Sequence, residues 1–258
     1  MSMDHRFAVP DWPAPANVHA FTTTRVGGAS TDGFAANNLA LHVGDVASAV
    51  MRNRQALVAD AGLPCQPQWL EQVHGVKVVE AQSGGRLQTA DACFTRTSEL
   101  PCAVLTADCL PLLLCDTEGA QVAAVHAGWR SLAAGVVRNS LKRFAEGGRA
   151  SRDQVMAWLG PAIGPNHFEV GVDVLEAFFA NAINDQHADA IAGAFKPGEK
   201  PMRFMADLYA LTKAELYAAG VTQIFGGEFC TYEQADTFYS FRRDGRYTGR
   251  MASVIWMD

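Results

Sequence analysis

The sequence predicts a mixed α/β protein of the α+β kind, with a largely antiparallel or mixed β-sheet core and helices outside it. Apolar strand segments outnumber simple βαβ units, which argues against a doubly wound parallel sheet. The phosphate-binding patterns GxGxxG and GxxxxGK[ST] are both absent from the 258 residues. No repeat and no linker rich in Pro, Gly and Ser divides the chain, so a single domain is expected.

The first half of the chain alternates apolar segments with turn signals. A strand in "VHAFTTT" runs into the glycine turn "RVGG", and "ASAVMRNRQALVADAGL" has helical apolar spacing that stops at Gly62. The segment "PQWLEQVHGVKVVEA" predicts two strands broken at "HG". Residues 102–115 and 120–126 predict two apolar strands joined at "TEG", and a helix from about Ser131 to Ala145 follows them.

The second half predicts further helices and a basic C-terminal loop. "VMAWLGPAIGP" is typical of a buried strand that ends in a Gly/Pro loop, and "GVDVLEAFFANA" and "MADLYALTKAELYAAGV" have the spacing of amphipathic helices. From "FGGEFC" to "VIWMD" we expect an apolar strand, a basic loop and a final strand.

Composition limits the function classes. With 49% hydrophobic and 19% charged residues, the chain is an ordinary globular protein. The formal net charge of −6 and the lack of a Lys/Arg block argue against nucleic acid or an anionic membrane as the main partner, so we expect a small molecule. No signal peptide or membrane-length apolar run is evident, and the six cysteines include no CxxC pair. We therefore expect a cytoplasmic protein whose cysteines are mostly plain buried thiols.

Three side chains stand out because each lies at the predicted end of an apolar strand, beside a glycine or proline turn. They are His74, Cys109 and His126. Strand ends that lead into tight turns can hold polar side chains rigidly over a cleft. Asp108, the neighbour of Cys109, would point to the opposite face of a strand and is not expected to join them.

Residue chemistry leaves three interpretations of this group open. Two imidazoles and one thiolate suit a zinc ion with its fourth position open to water or substrate. The cysteine could instead be a nucleophile with a histidine as its base, and a thiolate bound to zinc would not be free for that role. The third interpretation is a core thiol beside two hydrogen-bonded structural histidines. His42 and His167 could reach the same cleft, but neither is expected as a ligand.

Four other residues are candidates for binding substrate or phosphate. Arg25 lies at the mouth of the turn in "TTRVGG", where a solvated surface arginine is the other interpretation. Asn38 could orient a ribose or base, although a turn role is common for such an Asn. Arg130 precedes a predicted helix, where backbone N–H groups and the guanidinium could together hold phosphate. Arg243 belongs to the basic segment "FRRDGRYTGR", which could equally form a charged hairpin tip.

The motifs "TTRVGG", "NNLALHVGD", "WLEQVHG", "TADCLP", "VHAGWR", "LGPAIGPNHFEVG" and "CTYEQADTFYSFRRDGRYTGRMASVIW" together resemble the YfiH family. This family is also described as DUF152, multicopper polyphenol oxidase or peptidoglycan editing factor. The motifs run in family order from about residue 21 to the C-terminus. Ser131 departs from the glycine that the family usually has after "HAGWR", and Ala40 lies where the family varies. Neither position is a ligand.

The resemblance implies a fold and a metal site. The family fold is a single α/β domain with a layered mixed sheet core flanked by helices, similar to the catalytic domain of a bacterial cytotoxic necrotizing factor. We therefore expect residues 1–20 to be an N-terminal lead-in and residues 21–258 to be one catalytic domain. The family's zinc ligands fall at His74, Cys109 and His126, the group already singled out by residue chemistry.

The resemblance also implies an activity. The expected function is zinc-dependent phosphorolysis of adenosine, inosine and methylthioadenosine, with deamination of adenosine by metal-activated water. The partners would be a small-molecule nucleoside and phosphate. The protein itself is expected to be a monomer or a small homo-oligomer. The first alternative is a hydrolase that edits peptidoglycan precursors with the same three residues, and a zinc-bound binding module is a non-enzymatic one. A copper-dependent laccase is less expected, because no His-X-His pair is present, although a His₂Cys site can take copper.

Overall fold

The computed structural model describes residues 6–84, 86–146 and 151–258 and confirms the mixed α/β fold. The first five residues of the predicted lead-in lie outside the described residues. The described strands are β1 (Phe7–Ala8), β2 (Val18–Thr23), β3 (Leu70–Glu71), β4 (Val78–Glu80), β5 (Gln88–Thr89), β6 (Ala92–Thr95), β7 (Cys102–Thr106), β8 (Leu110–Asp116), β9 (Val122–Ala127), β10 (Val155–Leu159), β11 (Glu169–Gly171), β12 (Phe195–Pro197), β13 (Arg203–Ala206), β14 (Gln223–Gly226) and β15 (Met251–Met257). The described α-helices are α1 (Ala47–Asp60), α2 (Trp129–Ala133), α3 (Val136–Ala145), α4 (Val172–Phe179), α5 (Asp185–Gly193), α6 (Leu208–Ala218) and α7 (Phe241–Asp244).

Two sheets form the centre of the molecule. One has the strand order β1-β2-β15-β7 and is antiparallel throughout. The other has the order β14-β10-β8-β9-β6-β4, with antiparallel pairs in its middle and parallel pairs at both edges. Two smaller sheets, β11-β13-β12 and β3-β5, lie beside them. Because β1 and the start of β2 belong to the first sheet, part of the predicted lead-in is built into the fold.

The two central sheets stack face to face between layers of helices. In β7, Cys102 and Val104 pack between the sheets, while Ala103 and Leu105 pack on the opposite side together with Leu57 of α1. This alternation is the period of two that a strand buried on both faces requires. The other face of the six-stranded sheet is covered by apolar side chains of α2 to α6. The order of layers is therefore helix, sheet, sheet, helices.

The chain changes sheets between β7 and β8, which corrects the single strand predicted over residues 102–115. Both strands are fully buried and mostly apolar, so the pattern of hydrophobicity alone does not mark a break between them. The break falls at residues 107–109, where Asp108 adopts a φ of 87°. One continuous apolar segment thus supplies a strand to each of the two stacked sheets.

The helix predicted from Ser131 to Ala145 is also two helices. α2 ends at Ala133 and α3 begins at Val136, because Gly135 between them has a φ of 94° that interrupts the helix. The helices predicted in "ASAVMRNRQALVADAGL", "GVDVLEAFFANA" and "MADLYALTKAELYAAGV" are confirmed as α1, α4 and α6. Among the helices that the structure describes, none combines the length and apolar character that crossing a bilayer requires.

Candidate metal centre

The structure brings His74, Cys109 and His126 together, with one possible ligand atom of each within 4.8 Å of the others. His74 lies in the loop between β3 and β4, and Cys109 lies at the crossover between β7 and β8. His126 lies in β9, which pairs with β8 in the register that places it opposite Pro111. We call these three residues the metal centre. It forms where the chain passes from one sheet to the other.

A buried carboxylate shapes the loop of the first histidine. His74 has a φ of 58°, a left-handed conformation that is unusual for a residue with a side chain. The Asp91 carboxylate accepts hydrogen bonds from the backbone N–H groups of His74 at 2.9 Å and Gly75 at 2.6 Å. These bonds stabilise the turn that presents the imidazole to Cys109, whose Sγ lies 3.7 Å from His74 Nε2.

The same carboxylate orients the second histidine. Asp91 Oδ1 lies 2.9 Å from His126 Nδ1, and the His126 backbone N–H donates to the Asp91 carbonyl at 2.7 Å. A proton held on Nδ1 by Asp91 leaves the lone pair on Nε2 free to act as a ligand. Burial raises the pKa of Asp91, but hydrogen bonds from His126 and from the Gly75 N–H outweigh it, so the pKa lies below its ordinary value.

Cys109 and His126 favour each other's charged forms. Burial raises the pKa of the Cys109 thiol, but the positive charges and hydrogen bonds of His126 and His74 bring it below its ordinary value. Burial lowers the pKa of His126, but the Cys109 thiolate and Asp91 raise it above its ordinary value. A thiolate is the form of cysteine that binds a metal or attacks an electrophile.

Gly128 keeps the metal centre open. A Cβ atom at this position would lie 3.0 Å from Cys109 Sγ and 3.0 Å from His74 Cδ2, closer than almost all real contacts of this kind. The glycine that follows β9 therefore leaves room between the sulfur and the imidazole. A residue with a side chain would fill the space where the donor atoms converge.

The metal centre forms part of the wall of a cavity of about 390 Å³, a volume within the range of small-molecule sites. Its apolar wall is formed by aromatic and aliphatic side chains, and its polar wall adds three arginines, one further histidine, one amide and one carboxylate. The apolar side chains include Trp129, Ile163, Phe168, Leu208 and Phe241, and the polar ones are Arg130, Arg242, Arg250, His42, Gln72 and Asp108.

Three guanidinium groups give the cavity a cationic side. The Arg130 guanidinium carbon lies 4.2 Å from the centroid of the Trp129 ring. Arg242 Nη1 donates to the carbonyl oxygens of His167 and Glu169, and Arg250 Nη1 donates to the carbonyls just before its own residue. Because α2 has only five residues, the expected contribution of a helix N-terminus beside Arg130 is small, and the guanidinium itself carries the argument for an anion.

Arg25, Asn38 and Arg243 do not line this cavity, so its geometry gives no support to their expected role in binding substrate, which stays a prediction. Arg25 donates to the carbonyl oxygens of Ala35 and Ala235. Asn38 is fully buried, and its Oδ1 accepts from the Ala40 backbone N–H within a local turn and from the backbone N–H of Arg250. Arg243 donates to three carbonyl oxygens and to Asp244, so its guanidinium has partners on every side: Thr231, Tyr232, Phe238 and Asp244.

Asp108 is placed by the crossover and not by a strand. Its carboxylate accepts from the Thr231 hydroxyl at 2.6 Å and from the Arg242 backbone N–H at 2.6 Å. It therefore lines the cavity but stays outside the group of three possible ligands. The sequence predicted that Asp108 would stay outside this group because neighbouring side chains of a strand point to opposite faces. In the structure the reason is different, since the backbone of Asp108 is left-handed and belongs to no strand.

The donor set fits a metal ion with one position left open. Two imidazoles converge on the same thiolate, whereas a cysteine nucleophile needs only one histidine as its base. His74 and His126 have ring centroids 4.8 Å apart at 73°, so their rings meet edge to face and not in a stack. Three protein donors of this kind suit zinc, with the open side facing the cavity.

Sequence reasoning missed Asp91 and did not separate Arg242 and Arg250 from the rest of the basic segment. Asp91 is fully buried between two alanines at the start of β6, and a carboxylate in so apolar a segment signals a need for partners. Arg250 reaches the cavity because β15 pairs with β7, in a register that places Met251 opposite Thr106 beside the crossover. Nothing in the local sequence distinguishes Arg250 from Arg243, since the pairing of β15 with β7 is long-range.

Comparison with known proteins gives the family. Residues 19–258 match the family model described as "Multi-copper polyphenol oxidoreductase laccase". The chain is 49% identical over 248 residues to a protein of Pseudomonas aeruginosa named purine nucleoside phosphorylase, covering 96% of this chain and 97% of the relative. It is 46% identical over 253 residues to the purine nucleoside phosphorylase YfiH of Escherichia coli, covering 98% and 99%.

Solved structures agree with this assignment. A Neisseria meningitidis protein described as a DUF152 member superimposes with a TM-score of 0.90 at 46% identity, covering 98% of this chain and 99% of the other. A Bacillus licheniformis protein named YfiH superimposes with a TM-score of 0.86 at 27% identity, covering 93% of each chain. The similarity extends over nearly the whole length in every case. The chain therefore belongs to the YfiH (DUF152) family, as its motifs predicted.

Proposed function

We propose that the protein is a zinc-dependent purine nucleoside phosphorylase that also deaminates adenosine. The observation that carries the proposal is the coincidence of two features. Relatives at 46–49% identity over almost the whole chain are named purine nucleoside phosphorylases, and the cavity combines a metal-capable His/Cys/His group with three arginines. Adenosine, inosine and methylthioadenosine are the proposed nucleosides, and phosphate is the second substrate.

The arginines of the cavity suit the phosphate. In phosphorolysis a phosphate oxygen bonds to C1′ of the ribose while the bond from C1′ to N9 breaks, and the purine leaves with a proton. Guanidinium groups bind phosphate through paired charge-assisted hydrogen bonds. Arg242 and Arg250 are oriented by backbone carbonyls, and Arg130 lies against Trp129, so all three side chains are positioned before an anion arrives.

The apolar wall suits the purine. Phe168, Leu208 and Phe241 offer a flat and adaptable surface in the same cavity, and the Phe168 and Phe241 rings lie beside the guanidinium groups of Arg242 and Arg250. The ring of Phe241 is half exposed, so it can contact a ligand without first leaving the core. A nucleoside has the matching composition, with a flat base and a polar sugar.

His74, Cys109 and His126 would hold the zinc ion, and Asp91 positions both histidines. Bound zinc would supply a Lewis acid that polarises a substrate atom or water, which suits the exchange of the adenine amino group for oxygen. The hydrogen bond from His126 Nδ1 to Asp91 keeps the proton away from the ligand atom. Because Gly128 has no side chain, the space beside Cys109 Sγ and His74 stays open for the ion.

The phosphorylase proposal is tested by incubating zinc-loaded protein with inosine in the presence and absence of phosphate. Free hypoxanthine and ribose 1-phosphate should form only with phosphate, and His74→Ala should lose the activity. Conversion of adenosine to inosine and ammonia without phosphate tests the deaminase. Cys65→Ser is the matched control, because Cys65 donates only to the backbone carbonyls of Gln66 and Glu99. Recovery of intact nucleosides from zinc-loaded protein would refute the proposal.

The name of the family model supplies a second candidate, an oxidase that uses copper. A His₂Cys group can bind copper, so the copper-loaded protein should be assayed with a phenol beside the nucleoside assays. The nucleoside proposal predicts that zinc-loaded protein turns over inosine faster than copper-loaded protein oxidises a phenol.

A further inference from the structure

A second group of metal-binding side chains lies outside the metal centre. His167, Cys230 and Glu233 present ligand atoms that all lie within 4.8 Å of one another. His167 belongs to the loop after β10, and Cys230 and Glu233 belong to the loop after β14. His167 Nε2 lies 2.8 Å from Glu233 Oε1, so two of the three donors already share a hydrogen bond or ion pair.

The surroundings hold the cysteine and the histidine in place. The Gly164 backbone N–H donates to Cys230 Sγ at 3.3 Å and so fixes the position of the sulfur. A Cβ at Gly164 would lie 3.0 Å from this sulfur, so the glycine leaves the space that the sulfur occupies. The His167 ring stacks on Tyr232 with centroids 4.3 Å apart and an interplanar angle of 13°, which fixes the plane of the imidazole.

An ion can reach this group from solvent. A surface cavity of about 320 Å³ is lined by both Cys230 and Glu233. Two more carboxylates, Asp207 and Glu228, line the same cavity, against one ammonium group from Lys213. The excess of negative charge favours entry of a cation.

We propose that His167, Cys230 and Glu233 form a second zinc site. The simpler interpretation, a hydrogen bond between His167 and Glu233, leaves the nearby cysteine unexplained. A zinc site explains all three side chains, because cysteine, imidazole and carboxylate are all common zinc ligands. Tetrahedral bonds of about 2.0–2.1 Å separate nitrogen and oxygen donors by about 3.4 Å. The Glu233 carboxylate therefore moves outward slightly when the ion binds, and its side chain is exposed enough to do so.

The second site would clamp two loops that orient arginines. Arg242, which lines the main cavity, donates to the carbonyl of His167 itself. Arg243 donates to the carbonyls of Thr231 and Tyr232, which lie between the two ligands of the other loop. Zinc at this place joins the loop of His167 to the loop of Cys230, and so stabilises the backbone from which both guanidinium groups are held. Its role is structural, and it is separate from the chemistry proposed above.

Metal stoichiometry tests the proposal. Metal-free protein is titrated with Zn²⁺ and, in parallel, with Co²⁺, whose thiolate charge-transfer absorbance reports each cysteine ligand. The wild-type protein should bind two equivalents, Cys230→Ser one and Cys109→Ser one. Cys65→Ser should still bind two, because its thiol belongs to neither group. The second equivalent should raise the thermal midpoint of the wild-type protein and not that of Cys230→Ser.

Glu233→Gln keeps the test decisive if the buried cysteine variant fails to fold. Glu233 is exposed, so this change should leave the fold intact and weaken the second zinc equivalent by at least about tenfold while the first is retained. One equivalent in the wild-type protein that disappears in Cys109→Ser would overturn the proposal. Two tight equivalents retained in both Cys230→Ser and Glu233→Gln would also overturn it. Neither result bears on nucleoside turnover, so the proposed function is judged independently.

Discussion

Two groups of ionisable side chains, each with buried members, lie against the six-stranded sheet and differ in how burial affects their pKa values. One is the metal centre with its partner Asp91. The other, which we call the helical cluster, consists of Arg138 of α3, His187 of α5 and Glu215 of α6. Arg138 Nη1 lies 2.8 Å from Glu215 Oε2, and His187 Nε2 lies 3.4 Å from Glu215 Oε1.

The effect of burial on pKa is outweighed by neighbouring charges in the metal centre, whereas it dominates in the helical cluster. In the metal centre the pKa of Cys109 is lowered and that of His126 is raised, because each charge supports the other against the cost of burial. In the helical cluster burial raises the pKa of Glu215 to about 7, in spite of Arg138. Burial and the charge of Arg138 lower the pKa of His187.

The difference shows what distinguishes a binding site from an internal contact. The metal centre favours a thiolate and leaves its donor atoms facing a cavity, so an external cation can replace the proton on His126. In the helical cluster burial instead favours the neutral forms of Glu215 and His187. Similar residue types therefore have different functions because their partners differ.

The largest effect should come from removing the thiolate. Cys109→Ser leaves two imidazoles and a weaker oxygen donor, so zinc affinity and inosine phosphorolysis should both fall by more than about 100-fold. Equilibrium dialysis and the phosphorolysis assay measure the two quantities. If activity persisted at the wild-type level, the metal centre would have no role in turnover.

Breaking the support of the histidines should have the next largest effect. Asp91→Asn keeps the shape of the side chain but removes the charge that orients His126 and the turn of His74. Zinc affinity or activity should fall by about 10- to 100-fold. Circular dichroism serves as the folding control. Unchanged zinc affinity in a folded variant would show that the carboxylate does not position the ligands.

Loss of one cavity guanidinium should affect phosphate selectively. Arg130→Met should raise KM for phosphate about tenfold, the value expected for one charge-assisted contact, and leave KM for inosine nearly unchanged. Arg143→Met is the matched control, because Arg143 is an exposed residue of α3 paired with Glu146. Equal effects of the two substitutions would mean that general surface charge, and not a contact with phosphate, is responsible.

The smallest effect should appear in the helical cluster as a dependence of stability on pH. The pKa of Glu215 is higher in the folded protein than in the unfolded chain. Its contribution to the free energy of unfolding is therefore fully present below the unfolded pKa of about 4.5 and is lost as pH rises through about 7. The difference in free energy of unfolding between wild type and Glu215→Gln should therefore change by at most about 1.4 kcal/mol per pH unit in this window. Chemical denaturation at several pH values measures it, and a difference independent of pH would contradict the raised pKa.

Local patterns predicted what depends on local sequence. The amphipathic helices α1, α4 and α6 followed from apolar spacing, and the grouping of His74, Cys109 and His126 followed from their places beside turns. The break at residues 107–109 did not, because both segments beside it are apolar and only the backbone of Asp108 marks the change of sheet.

Roles that depend on long-range pairing were not predictable in the same way. Among the basic residues near the C-terminus, the sequence favoured Arg243, and the structure brings Arg242 and Arg250 to the cavity instead. Arg250 is brought there by the pairing of β15 with β7, whose strands are far apart in sequence, and Arg242 by α7, where its backbone N–H donates to Asp108. Asp91 could have been noticed, since a carboxylate at 0% exposure requires several partners.

The crossover between the two central sheets has a consequence for how the protein would acquire the proposed metal ion. The three donors come from separate segments, and Cys109 takes its place only when β7 has joined one sheet and β8 the other. Cys109 and His126 lie at the open end of the hairpin formed by β8 and β9, whereas His74 comes from the separate loop between β3 and β4. The proposed ion would therefore find two donors on one hairpin, and the third only after the loop of His74 has packed beside it.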